Sequence, residues 1–141
     1  MATMQCSIVS AERNIFAGEV ERVVAVSVMG ELGILRGHEP SLLELKPGPV
    51  RVIREGGEEE IFYVSGGFLE VQPHEVSVLA DSAERARDLD AGEAEKARDE
   101  ARSALAGRSG ELDHQHALAE IEAATARLRT LSQLRNRKGQ K

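Results

Sequence analysis

Three groups of residues in this chain are of types that do chemistry: a serine beside glycines, two histidines close in sequence, and a run of cations with no acid between them. Ser65-Gly66 has the form of an exposed nucleophile. Acyl transfer, however, needs a general base and an orienting acid on a larger scaffold, so the pair is expected to be a strand-end turn. His114 and His116 would suit a metal if they pointed the same way. On a helix, residues two apart diverge by about 200°, so they cannot share one ion, and no metal is expected. His38, in Arg36-Gly37-His38-Glu39-Pro40, is a lone loop histidine, either solvated or a contact for a partner. No Gly-x-Gly-x-x-Gly occurs, and Gly66-Gly67 runs into a valine-bearing strand instead of a helix, which excludes phosphate-loop chemistry. From Glu84 to Glu122 acids outnumber bases, after which Arg127, Arg129, Arg135, Arg137, Lys138 and Lys141 follow without an acid. Two readings stay open for this run: a soluble helix end whose cations suit the negative end of the helix dipole, or a cationic patch carried to an acidic partner surface.

The elements that position these residues come in two alphabets. Every valine, from Val9 to Val78, precedes residue 80, as do all isoleucines but Ile121, while most alanines follow. Branched side chains suit pleated strands and alanine loses least on entering a helix, so a β module is followed by an α module, with the switch near Asp81. Short apolar runs are expected as strands at Cys6–Val9, Glu21–Val28, Leu32–Leu35, Ser41–Leu45, Val50–Ile53, Ile61–Val64, Phe68–Val71 and Val76–Leu79. Pro47-Gly48, Gly56-Gly57 and Gly66-Gly67 supply the turns between them, and many short strands at close spacing predict a sandwich or barrel.

In the α module, Asp90-Ala91-Gly92-Glu93 is a capping-box pattern that should start a helix. Its apolar side is Ala94, Ala97, Ala101, Ala104 and Leu105, broken at Gly107-Arg108-Ser109-Gly110. A second helix, capped by Asp113, should carry a stripe of Leu118, Ile121, Leu128 and Leu131. So short a connection predicts an antiparallel hairpin with a thin alanine seam.

Composition narrows the function classes. With 141 residues the chain has room for one ordinary domain or two small units, which excludes a large multidomain enzyme. A net charge of −6 argues against a dedicated nucleic-acid binder. Cys6 is the single cysteine, so neither an intrachain disulfide nor a thiolate zinc cage can form, and a reducing compartment is expected. The start, Met1-Ala2-Thr3-Met4-Gln5, lacks a basic and apolar leader, and apolar runs such as Val23-Val24-Ala25-Val26 are short, so neither export nor direct membrane insertion is expected.

At Gly30-Glu31-Leu32-Gly33-Ile34-Leu35-Arg36-Gly37-His38-Glu39-Pro40, then Leu45-Lys46-Pro47-Gly48, Tyr63-Val64-Ser65-Gly66-Gly67-Phe68 and Val76-Ser77-Val78-Leu79-Ala80-Asp81, the chain resembles the epsilon subunit of bacterial F-type ATP synthases. The resemblance implies a β + α fold: a ten-stranded β-sandwich that docks on the rotor, residues 1–83, and an antiparallel two-helix regulatory hairpin, residues 84–141. It also implies a non-catalytic place on the central stalk, against the gamma subunit and the polar loops of the membrane rotor ring. On that reading the protein is peripheral, on the cytoplasmic face of the bacterial inner membrane. It has no cofactor, and its hairpin reaches the catalytic beta and alpha subunits to inhibit ATP hydrolysis.

Carried onto this sequence, the ring contact falls on Glu31, Arg36 and His38, and the inhibitory contact on Arg127, Arg129 and Arg135. Arg36 stands where the family usually has proline, while Glu39 and Ser41 replace smaller or apolar residues, so docking on the ring leans towards charge. Some members bind ATP through a pattern whose matching run here is Leu89-Asp90-Ala91-Gly92-Glu93-Ala94, with glutamate in place of arginine. Glu84, Asp90 and Arg127 are retained, but other arginines of that pattern fall on Glu100 and Ala123, and a carboxylate facing phosphate repels it. The nucleotide site is therefore degenerate. A free-standing nucleotide sensor and a small β-scaffold enzyme are the competing functions, and no residue constellation supports the enzyme.

Overall fold

Alternation of branched apolar residues with polar ones yields ten strands in the computed structural model, which describes residues 2–107 and 111–139. They are β1 (Met4–Ser10), β2 (Asn14–Val20), β3 (Arg22–Ser27), β4 (Gly30–Leu35), β5 (Ser41–Leu45), β6 (Gly48–Ile53), β7 (Glu59–Val64), β8 (Gly67–Gln72), β9 (Glu75–Ala80) and β10 (Ala83–Arg85). Their hydrogen-bonded order is β10-β7-β6-β3-β5-β8-β9-β1-β2, with β4 along the other edge of β3. All pairings are antiparallel except β1 with β9, which run parallel.

β3 is the corner of the sandwich. Its first half pairs with β6 and its last residue, Ser27, pairs with Leu45 of β5, so one strand serves both layers. Between the layers lies one core to which all ten strands contribute, including Cys6, Ile8, Val20, Val23, Ile34, Val52, Phe62, Leu69, Val76 and Val78. Cys6 is fully enclosed, and burial pushes its thiol up to about 12, so it behaves as a small hydrophobe.

The two strands absent from the sequence-based expectation are β2 and β10. β10 has only three residues, yet a set of long-range contacts fixes it. Glu60 accepts from Arg54 Nη2 at 3.0 Å and lies 3.6 Å from Arg85 Nε. These arginines stack on Phe16 and Phe62 respectively, at 5.1 and 5.4 Å, and the two rings meet edge to face at 5.6 Å.

A single 3-10 turn, Ala86–Asp88, leads to α1 (Ala91–Gly107) and α2 (Glu111–Gly139). α1 starts as expected: Asp90 Oδ1 accepts from the Glu93 N–H at 3.0 Å. α2 is already helical at Glu111, so Asp113 lies inside it and not at its cap; residues 108–110 of the expected break lie outside the described residues.

The seam differs from the expected stripe. Leu118 is 53% exposed and Ala97 is exposed, while the buried residues are Ala94 and Ala101 on α1 and Ala117, Ala124, Ala126 and Thr130 on α2. The reason is that α2 has two covered faces. At about 100° per residue, Ala126 projects opposite Ala117, so α2 lies between α1 on one side and β6 and β7 on the other. Small residues on both faces let the layers approach closely. The Thr130 hydroxyl is accommodated there by donating to the Ala126 carbonyl at 2.8 Å.

Candidate docking surfaces

β4 is extended, and that separates the residues assigned to the ring. Glu31 is exposed near the start of the strand, opposite Val26, whereas Arg36 and His38 lie past its end at Leu35. At roughly 3.3 Å per residue, Glu31 and Arg36 are about 17 Å apart along the strand.

Beyond Leu35 the chain turns on Gly37, whose φ is +88° and whose N–H donates to the Pro73 carbonyl at 2.8 Å. Arg36 Nε then reaches His74 Nδ1 at 3.4 Å, and His38 Nδ1 donates to the Glu39 carbonyl at 2.9 Å. Arg36 and His38 thus share one end of the sandwich with the β8–β9 turn. At Glu31's end stands the β3–β4 turn, where Val28 is 47% exposed and Met29 85%.

A surface that sequence reasoning missed lies between these ends. Leu42, Phe68 and Leu79 are large apolar side chains that remain exposed on β5, β8 and β9. Register aligns Glu44, Phe68, Leu79 and Val9 in a row across β5, β8, β9 and β1. The signal was present in Phe68-Leu69-Glu70-Val71: with Leu69 and Val71 in the core, period two places Phe68 outside with Glu70. Adjacent exposed apolar groups of this size mark a docking surface more often than chance exposure does.

The expected turn at Ser65 is present. Its hydroxyl meets Ser82 Oγ at 2.8 Å and accepts from the Ser82 N–H at 2.8 Å. His114 and His116 stand on α2, and His116 Nε2 lies 2.7 Å from Glu120 Oε1 one turn on. A notch of about 190 Å³ lined by Arg13, Asn14, Ile15, Arg85 and Asp88 is no better a ligand site, because Arg85 already donates to the Ile15 carbonyl at 3.2 and 3.3 Å.

The hairpin residues divide likewise. Arg129 and Arg135 are exposed, but Arg127 is half-buried with its guanidinium 5.0 Å from the centre of the Tyr63 ring. The side chains of Arg137, Lys138 and Lys141 lie outside the described residues. Of the degenerate nucleotide set, Glu84 lies opposite Tyr63 in the β7–β10 register, so it and Arg127 meet at one phenol. Asp90 is spent on the helix cap.

Burial raises the Tyr63 hydroxyl above its ordinary value of 10.0, opposed by Arg127 and reinforced by Glu84 and Glu122. The sign follows: a folded-state value above the unfolded one means stability that is intact below pH 10 and lost as pH rises through the folded value. Ultraviolet titration of this single tyrosine should therefore show a midpoint above that of the denatured chain, and the native state should weaken as the phenolate forms.

The sandwich and the helices packed on it match known proteins. The family model for the ATP synthase Delta/Epsilon chain, beta-sandwich domain, matches residues 3–86. The ATP synthase epsilon chain of Chromohalobacter salexigens is 61% identical over 137 residues, covering 97% of each chain. This chain belongs to the ATP synthase delta/epsilon family.

Among solved structures, a chain of the Euglena gracilis mitochondrial ATP synthase (OSCP/F1/c-ring) superposes with a TM-score of 0.82 at 25% identity, covering 89% of this chain and 79% of that one. A chain of the Tetrahymena thermophila mitochondrial ATP synthase central stalk and c-ring superposes at 0.61 with 16% identity, over 91% and 96%, and shares the fold. The ten-stranded sandwich and two C-terminal helices expected from the resemblance are those of the delta/epsilon family.

Proposed function

We propose that this delta/epsilon-family protein is the non-catalytic central-stalk subunit of a proton-translocating F-type ATP synthase, coupling flow through the membrane ring to ATP synthesis and restraining ATP hydrolysis through its helices. The observation that carries the docking half is the exposed apolar patch of Phe68 and Leu79, paired across β8 and β9, with Leu42 on the neighbouring β5. Its occupant on this reading is the gamma subunit, which would cover an apolar face. The ring's polar loops would meet charge, from Glu31 at one end of β4 and from Arg36 and His38 at the other.

Among the described residues no helix is long and apolar enough to cross a membrane, which agrees with a peripheral subunit held by its partners. The assigned side is the cytoplasmic face of a bacterial inner membrane. The catalytic beta and alpha subunits are the partners of the hairpin, through Arg127, Arg129 and Arg135. The alternative of a nucleotide sensor is disfavoured by Arg127 lying on Tyr63 and by acids at Glu93 and Glu100.

The test is a Phe68→Asp, Leu79→Asp double variant in reconstitution with gamma. Both side chains point out of the core, so folding should persist while affinity falls at least about tenfold, the equivalent of 1.4 kcal/mol. Unchanged affinity would remove this face from the gamma contact. Hydrolysis by the assembled complex with and without the subunit tests the restraint.

A further inference from the structure

β7 is buried on both faces, and only one of them belongs to the sandwich. Phe62 and Val64 lie in the core between the layers, whereas Ile61 and Tyr63, only 3% and 1% exposed, point the other way. α2 is the element that packs over β6 and β7. Tyr63 sits there in a row with Pro49 of β6 and Glu84 of β10. From α2 come Ala126 and Thr130, both small, and Arg127, whose guanidinium stacks on the Tyr63 ring at 5.0 Å. Glu84 from β10 and Glu122 from α2 are the acids that act on the same phenol. Alanine and threonine methyls contribute little area, so the stacked pair supplies the directional contact of this interface. The Tyr63 hydroxyl is buried without a hydrogen-bond partner among the described residues, so it adds nothing to the hold.

We propose that Tyr63 and Arg127 form a clasp that fastens α2 to the sandwich and, by the same contact, withholds Arg127 from any acidic partner surface. The guanidinium can lie on the phenol or meet a partner carboxylate, but not both. Partner engagement and α2 docking are then competing states of one side chain, and a partner shifts the balance only as far as it favours the released one. The masking half rests on the proposed inhibitory role of the hairpin; the fastening half does not.

The experiment compares amide exchange in the full chain and its Tyr63→Phe, Tyr63→Leu and Arg127→Gln variants. Tyr63→Phe keeps the ring and should leave α2 at least as protected as in the parent. Tyr63→Leu and Arg127→Gln should each speed exchange in α2 by about tenfold, while the β1–β9 ladder stays protected and shows that the sandwich has folded. Equal α2 protection in all four proteins, or loosening by Tyr63→Phe as great as by Tyr63→Leu, overturns the clasp. In the reconstituted complex Tyr63→Leu should inhibit hydrolysis more strongly than the parent, and Arg127→Gln less. If Tyr63→Leu loosens α2 but leaves inhibition at the parent level, masking is overturned. If deleting α1 and α2 leaves hydrolysis unchanged, the inhibitory role itself fails while the exchange results still decide the clasp.

Discussion

Replacing Gly67 by alanine is expected to cost more than any other single methyl added to this chain. Gly67 opens β8 with φ at +132°, paired to Ala80 on β9 and to Leu45 on β5. A Cβ there would overlap the Leu79 carbonyl oxygen and lie 3.0 Å from Ala80 Cα, both backbone atoms that cannot swing aside. The left-handed conformation alone costs about 1–3 kcal/mol for a residue with a side chain. With the overlap the total should reach about 4 kcal/mol or more, a large share of the roughly 5–15 kcal/mol that holds a domain of ordinary stability. The control is Gly30→Ala, where φ is +119° but no atom lies within 4 Å of the new methyl. Urea unfolding should show a modest shift for Gly30→Ala and a near loss of the cooperative transition for Gly67→Ala. Equal midpoints would mean that β8 and β9 can separate locally at no great cost.

Phe62→Ala should be the most damaging truncation. The ring is fully buried, meets Phe16 edge to face at 5.6 Å and carries Arg85 at 5.4 Å. Removing it leaves a cavity, and phenylalanine truncations in cores cost about 3–5 kcal/mol. The stacking surface of Arg85 is lost as well, which loosens β10. Phe68→Ala is the matched comparison, because Phe68 is 47% exposed and outside the core. Its unfolding midpoint should stay close to that of the parent. A Phe62→Ala protein as stable as Phe68→Ala would show that the layers close around the lost ring at little cost.

Features that depend on neighbouring residues were readable before the structure. Asp90 caps α1 because a capping contact spans only three residues, and eight of the ten strands were marked by short apolar runs, all but β5 bearing valine or isoleucine. β2 was missed because Ala17 and Gly18 weaken its alternation, and β10 because Ala83–Arg85 is held by Glu60, Phe62 and Ile15, all distant in sequence. Alanine misled most. On α2 it reads as a helix former, and nothing local shows that Ala117 and Ala126 are buried against different neighbours. The unbroken run Ile61-Phe62-Tyr63-Val64 did carry the message that β7 is covered on both faces, since a strand with one wet face would have alternated. The separation of Glu31 from Arg36 was also implicit in the length of the strand between them, whereas the pairing of Arg127 with Tyr63 was not, since they are brought together only by tertiary packing.

The parallel ladder between β1 and β9 bears on how the chain is made. Ser7 and Ser77 face one another across it, 70 positions apart in the sequence. Closing a loop of that length costs on the order of 4 kcal/mol of chain entropy before any contact repays it. Among the strands β2 pairs with β1 alone, so residues 4–20 emerge as a hairpin with no layer to join. They wait until β9 has been synthesised, and only then can the two layers enclose their core. Slow folding set by this non-local pairing, with unsatisfied strand edges on the nascent chain in the interval, follows from the topology whatever the helices later do.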